Sequence, residues 1–325
     1  MCGVSTACSL NDPYGAANTN TITRTVAFPL TVSYFLSSMN FLFWILLLLL
    51  LFYVGIQIFI RKVYAFTPVP HTDTPDKFGI RFEEIRFTTE NDKSLYGWWI
   101  PARENSDHAP TLILAHGLYR NLGRMLRYIE NLHPMGFNLL AFDSRHHGSS
   151  DRDEHASLYK IGQDITHALH HLKSMPVNQN RVGVLGLSLG GAGSIYAASL
   201  EPDIRAVVTV GAPAHPVDVM SRRFKDYYLP GFVVWYALRQ IEKAIGVSYD
   251  SFAPETNIAK AQAHFLVIHG VDDDVVLASQ GEKLLKAAGE DQCELWLIPE
   301  FGHSNCHHHP DFWGRVETFF KNNLA

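Results

Sequence analysis

A serine set between two glycines, Gly186-Leu187-Ser188-Leu189-Gly190, follows directly on the apolar run Arg181-Val182-Gly183-Val184-Leu185. The run reads as a buried strand, and Gly191-Ala192-Gly193-Ser194 continues it as a helix thin enough to lie close to a sheet. Few chain geometries satisfy that order. A strand that passes into a helix within one residue must turn sharply, which strains the backbone of the central residue. The turn also presses the residues two before and two after together, so neither can easily carry a side chain. The serine hydroxyl is thereby pushed into the open at the end of a strand.

A hydroxyl in that position is unreactive at its own pKa. It needs a neutral imidazole to take its proton and a buried carboxylate to hold the imidazole in the right tautomer. Two later strands supply candidates. His264 to His269 is apolar and runs into Gly270-Val271-Asp272-Asp273-Asp274-Val275, and Cys293 to Pro299 delivers Glu300-Phe301-Gly302-His303. His303 is the candidate general base, and three consecutive aspartates compete for the acid.

From about Phe78 to its C-terminus the chain resembles the serine hydrolases of the α/β-hydrolase superfamily, and among them the monoacylglycerol-lipase-like and related membrane-tethered hydrolases. The resemblance implies that Asp273, shortly after His269-Gly270, is the acid, with Asp272 and Asp274 as alternatives. It also implies an oxyanion hole made by two backbone amides, Leu118 after His116-Gly117 and Leu189 after the serine. Asp143-Ser144-Arg145-His146-His147-Gly148-Ser149-Ser150 resembles the family's Asp-x-Arg-Gly-His-Gly-x-Ser turn, with His146 in place of the first glycine, so a reshaped turn is expected there. Asp143 and Arg145 are expected to hold this turn together, and His116 and His147 to be hydrogen-bonded loop residues.

Strands and helices alternate, which specifies a mainly parallel sheet covered on both faces. Ile80 to Thr88 and Ser94 to Pro101 form an antiparallel hairpin, and strands follow near Leu112, Leu139, Val182, Val207, Phe265 and Leu295. Helical patterns lie near Met125 to His133, Leu158 to Lys173, Ser279 to Ala288 and Phe312 to Phe320. Between two of the strands a segment of about 214–260 carries further helical patches, and in relatives a cap over the active site is inserted there. Its aromatics, Phe224, Tyr227, Tyr228, Phe232, Trp235 and Tyr236, are expected to divide between cap core and a surface that lines an apolar pocket or meets a bilayer.

The N-terminal side is different in kind. Residues 41–60 are continuously apolar apart from Gln57, long enough to span a bilayer as a helix, and Arg61-Lys62 ends the run. A signal peptide would carry positive charge before the apolar stretch and small residues after it, and neither is present. Residues 1–40, rich in Thr, Ser and Asn, are expected to be disordered, and 61–77, with Pro68, Pro70 and Pro75, to be a linker to a catalytic domain at 78–325. Met39 stands just before the span as a second candidate start. Only Arg24 precedes the span whereas Arg61, Lys62, Lys77 and Arg81 follow it, so the domain is expected on the cytoplasmic side.

The net charge of −5 comes without a basic stripe, which argues against a nucleic-acid partner. Cys2, Cys8, Cys293 and Cys306 show no zinc spacing, and Cys2 and Cys8 could pair in an oxidising compartment. His307-His308-His309 reads as a solvated loop, and serine chemistry requires no cofactor and no metal. The expectation is a membrane-anchored enzyme that cleaves a small-molecule or lipid ester through an acyl-enzyme. Thioesterase, serine peptidase and acyltransferase activities are alternatives on the same fold, and a non-catalytic scaffold is the rival class.

Overall fold

The computed structural model of the protein describes residues 30–64, 66–225 and 227–325. The chain divides into two compact units, Met1–Gly55 and Ile56–Ala325. Cys2, Cys8 and most of the stretch expected to be disordered lie outside the described residues.

Helix α1 runs from Leu30 to Tyr64. Its Ser38–Lys62 stretch has a mean hydropathy of 2.6 and is long and apolar enough to cross a membrane. Phe41, Trp44 and Leu48 are among its exposed side chains, an apolar surface that water does not stabilise. The helix is longer than the 41–60 expected, so residues 30–40 are helical rather than disordered. No proline lies between Pro29 and Pro68 to stop it, and Arg61 and Lys62 suit the negative end of the helix dipole.

The stretch expected as an extended linker makes contacts with the domain. Val69 O accepts a hydrogen bond from Asn121 Nδ2 at 2.8 Å, His71 packs on Tyr96 and Trp98 at 5.4 and 4.7 Å, and Pro75 is buried. Prolines restrict this segment before it docks, which lowers the entropy that docking costs.

Eight strands form one sheet: β1 Glu83–Thr88, β2 Ser94–Ile100, β3 Thr111–Ala115, β4 Asn138–Phe142, β5 Val182–Leu187, β6 Ile204–Val210, β7 His264–Gly270 and β8 Cys293–Ile298. Their order is β1-β2-β4-β3-β5-β6-β7-β8. β1 and β2 form the antiparallel hairpin, β2 pairs antiparallel with β4, and every later pairing is parallel. Order reverses between β3 and β5, which opens a crevice at the carboxyl ends of the central strands.

The central strands are apolar on both faces because both faces are covered. Leu112, Leu114, Leu185 and Leu266 pack under α2 (Leu126–Leu132), with Phe312 and Phe320 from the last helix. Ile113, Val184, Val207 and Phe265 pack on the other side under α3 (Leu158–Leu172) and α4 (Leu189–Leu200).

After β6 come α5 (Pro216–Lys225), α6 (Gly231–Ile245) and α7 (Tyr249–Phe252), which bury Phe224, Ala237, Leu238, Ile241 and Phe252 against Leu158 and Ala192. Phe59 meets Phe224 and Tyr227 at 5.8 and 5.3 Å. The cap ends before residue 260, because α8 (Pro254–Asn257) packs on α4 and Ile258 and Ala261 turn into the sheet core. Two further helices, α9 (Ser279–Ala288) and α10 (Phe312–Asn323), complete the layers.

Candidate active site

Ser188 stands between the last residue of β5 and the first of α4, with φ 53 and ψ −121. For a residue with a side chain that conformation costs on the order of 1–3 kcal/mol and is held by its surroundings. Ser188 N donates to Val210 O at 2.8 Å, which ties the turn to the neighbouring strand. The flanking glycines are sterically required. A Cβ on Gly186 would lie 2.5 Å from Gly190 C, and one on Gly190 would lie 2.4 Å from the carbonyl oxygens of Ala115 and His116. Backbone atoms on both sides cannot yield, so Gly186→Ala and Gly190→Ala should each lower stability by about 3 kcal/mol, at the severe end for overpacking. Urea unfolding measures this, and unchanged midpoints would mean the turn is looser than its geometry implies.

Ser188 Oγ lies 3.0 Å from His303 Nε2, and His303 Nδ1 lies 2.7 Å from Asp273 Oδ2. His303 is delivered by the loop after β8 and Asp273 by the loop after β7, so three strand ends supply the three groups. Asp272 and Asp274 are exposed while Asp273 is buried, which separates the three candidates by environment. Oδ1 of Asp273 accepts hydrogen bonds from the amides of Val275 and Val276 at 3.0 and 2.8 Å. Burial by itself would raise this carboxyl, but hydrogen bonds from His269 and His303 and the Val276 amide outweigh it and hold the group well below the usual aspartate range.

Two residues around this line escaped sequence reading. His269, fully buried on β7, points Nε2 at Val276 O at 2.8 Å and stands 3.4 Å from Asp273 Oδ2. Gly211 takes φ 65 at the end of β6, where a Cβ would sit 3.0 Å from His303 Nδ1 and 3.3 Å from Asp273 Oδ2. Its bare backbone leaves room for the His303–Asp273 hydrogen bond. Neither follows from local pattern, because each matters only through residues far off in the chain.

Leu118 and Leu189 both line the cavity that contains Ser188 and His303. Leu189 is the first residue of α4, whose N–H has no carbonyl within the helix to bond, and the helix dipole adds positive character there. The Leu118 loop is braced by Asp143, which accepts from Leu122 N at 2.7 Å and from Ser149 N at 2.8 Å.

His116 and His147 belong to this brace. Each directs Nδ1 to a carbonyl, Gly117 at 2.8 Å and Arg145 at 3.0 Å, and accepts a backbone N–H at Nε2, from Ser144 and Tyr119 respectively. Burial lowers both, and the neighbouring His116 helps push His147 down to about 3, so both rings are neutral at neutral pH. His146 adopts φ 66, in the left-handed region that glycine enters without steric cost. Its ring accepts the Asp153 amide at 3.2 Å, which helps offset the cost of that conformation. Arg145 is buried and pairs with Asp164, Nε to Oδ1 at 2.8 Å, a partner that sequence pattern did not reveal.

The cavity has a volume of about 1070 Å³. From the cap it is lined by Val219, Met220, Ile241 and Ile245, with Arg223, Tyr249 and Phe252, and not by Phe224, Tyr227, Tyr228, Phe232, Trp235 or Tyr236. Helical phase decides this: Ala237, Leu238 and Ile241 turn inward on α6, so Phe232 and Trp235 fall on its exposed side. Of the three histidines expected in a solvated loop, His308 is exposed, whereas His307 and His309 are packed. His307 lies against Tyr128 at 5.7 Å and burial lowers it to about 4, and His309 lies against Trp296 at 5.2 Å.

A family model described as serine aminopeptidase, S33, matches residues 106–243. An uncharacterized membrane protein of Saccharomyces cerevisiae, YNL320W, is 22% identical over 252 residues, covering 77% of this chain and 83% of that one. An acyl transferase of Shewanella hanedai is 28% identical over 229 residues, covering 64% of this chain and 72% of that one. Among solved structures, the Pyrococcus furiosus esterase Pf2001 superimposes with a TM-score of 0.64 at 24% identity, over 79% of this chain and 99% of that one, a likeness of fold. The chain has the α/β-hydrolase fold, and its residues 106–243 are similar to the serine aminopeptidase, S33, family.

Proposed function

We propose that the protein is a serine hydrolase, anchored in a membrane by the apolar part of α1, that cleaves carboxylic esters of apolar acyl groups through an acyl-enzyme. The observation that carries this reading is the unbroken line Ser188 Oγ, His303 Nε2, Asp273 Oδ2 at 3.0 and 2.7 Å, opening into an apolar cavity. In the proposed reaction Ser188 Oγ attacks the ester carbonyl while His303 Nε2 takes its proton. Asp273 stabilises the imidazolium that results. The negative charge on the carbonyl oxygen is met by the amides of Leu118 and Leu189, each such donor being worth about 10²–10³ in rate. His303 then returns the proton to the departing alcohol, and water, deprotonated by the same imidazole, releases the acid and restores Ser188.

The excess of positive charge after the span, Arg61, Lys62, Lys77 and Arg81 against Arg24, supports a cytoplasmic position for the domain. The likeness to an acyl transferase favours one second reading, in which an alcohol or thiol replaces water as acceptor.

The test is a panel of p-nitrophenyl esters of graded acyl length, run beside thioester and peptide substrates, with and without an added alcohol acceptor. Ester cleavage with a burst of nitrophenol, rising with acyl length, is expected. Cleavage of peptides alone would overturn the ester reading, and transfer to the alcohol in preference to water would establish the second one.

A further inference from the structure

We propose that the cavity accepts acyl esters whose leaving group carries phosphate, with Arg61, Arg120, Arg124 and Arg223 as the anion site; this deepens, and rests on, the serine-hydrolase reading. All four arginines line the cavity that holds Ser188 and His303. They come from three separate places: the end of α1, the loop and short turn after β3, and α5. Among the described residues none of the four forms an ion pair with a carboxylate, and Glu154 is the one acidic residue in the cavity lining.

Two of the guanidinium groups are held by neutral partners close to the reacting groups. Arg124 Nη2 donates to Ser304 O at 2.6 Å, one residue beyond His303. Arg223 lies over the Tyr119 ring at 5.3 Å, one residue beyond Leu118, and its Nη1 reaches Tyr119 Oη at 3.4 Å. Neutral partners orient these groups without cancelling their charge, and each guanidinium retains further donors.

Four like charges lining one apolar-walled cleft give it a positive potential. An anion is attracted to that potential. The remaining wall, with Leu158, Met220, Ile241, Ile245 and Phe252, suits a hydrocarbon chain. One cavity thus offers an apolar part for the acyl group, the serine, and a cationic part for the group that departs. His155 lines the same cavity with its Nε2 buried and lacking a hydrogen-bond partner, a contact for a hydroxyl of the alcohol.

The discriminating substrates differ by one group: 1-octanoylglycerol and 1-octanoylglycerol 3-phosphate, assayed as monomers with the full-length protein in detergent. The wild type should favour the phosphorylated ester by about tenfold or more in kcat/KM, chiefly through KM, as expected of charge-assisted hydrogen bonds to a bound anion. The preference should shrink as salt is raised from about 0.05 to 0.5 M, while cleavage of the neutral ester should not follow salt in that way. Arg120→Ala with Arg223→Ala should bring the ratio of the two kcat/KM values toward one, and Arg223→Glu should invert it. Octanoyl-coenzyme A distinguishes the source of the phosphate: faster cleavage of the glycerol phosphate ester indicates a lipid headgroup, and faster cleavage of the thioester a soluble phosphorylated thiol. Equal cleavage of neutral and phosphorylated esters by the wild type overturns the anion site and leaves the hydrolase reading standing. A protein that cleaves neither ester and resists a fluorophosphonate loses both.

Discussion

Ser188→Ala is expected to lower kcat on any ester by about 10⁶, the loss seen when the nucleophile of a cooperating triad is removed. It should also abolish labelling by a fluorophosphonate probe. The fold should survive. Alanine keeps the Cβ that already packs beside the bare backbone of Gly117, where an added Cβ would come within 3.1 Å of it. The change removes only a hydroxyl whose partner is the partly exposed His303. Backbone strain at φ 53 is untouched, so melting temperature should hardly move. Ser188→Gly should lose activity equally but gain about 1 kcal/mol in stability, because glycine accepts a positive φ without steric cost. His303→Ala should be as damaging as Ser188→Ala, and the double variant no worse than either, since the two groups act as a unit. Labelling that persists in Ser188→Ala would remove the nucleophile assignment, and additive losses would show that Ser188 and His303 act separately.

Asp273→Asn should reduce kcat by about 10⁴ while the protein stays folded. The hydrogen bonds around Asp273 say why an isosteric change does so much. Oδ1 accepts from two backbone amides, Val275 and Val276, so the asparagine oxygen must take that side and the NH₂ must face His303. An NH₂ there compels Nδ1 to accept and moves the ring proton to Nε2, where it meets Ser188 Oγ and cannot take its proton. Asp272→Asn and Asp274→Asn should change kcat by no more than about threefold, both being exposed. A severe loss in either, with Asp273→Asn mild, would shift the acid by one residue.

The same substitution should alter the dependence of stability on pH. Because the folded carboxyl is held below the ordinary aspartate value of 3.8, its ionised form adds stability that is fully present above that pH. That contribution is lost as pH falls further, through the folded value. Thermal melts of wild type and Asp273→Asn should therefore differ most near neutrality and converge in strong acid. A gap that widens on acidification would contradict the assigned hydrogen bonds.

Much of this site could be read from the chain alone, for a local reason. A Gly-x-Ser-x-Gly segment between a strand and a helix is governed by contacts within a few residues, such as Gly186 against Gly190, so its geometry is written in adjacent letters. The strand succession and the positions of His303 and the aspartate run are likewise local, because apolar runs and turn residues announce strand ends. The same holds for the hydropathy of 41–60, although the helix extends beyond both ends of that range, since hydropathy marks apolar surface and not where backbone hydrogen bonding stops.

What required the tertiary structure depends on groups brought together from distant segments. Burial and the hydrogen bond to His303 distinguish Asp273 from its two identical neighbours, and both are properties of the packed loop. The support of Asp273 by His269, the clearance at Gly211 and the pairing of Arg145 with Asp164 each depend on how the packed chain sets one group against another. The cap aromatics could not be sorted into inward and outward sets until the phase of α6 against the core was known. The convergence of Arg61, Arg120, Arg124 and Arg223 on one cavity has no sequence pattern at all, because it arises from three chain segments that only the fold makes neighbours.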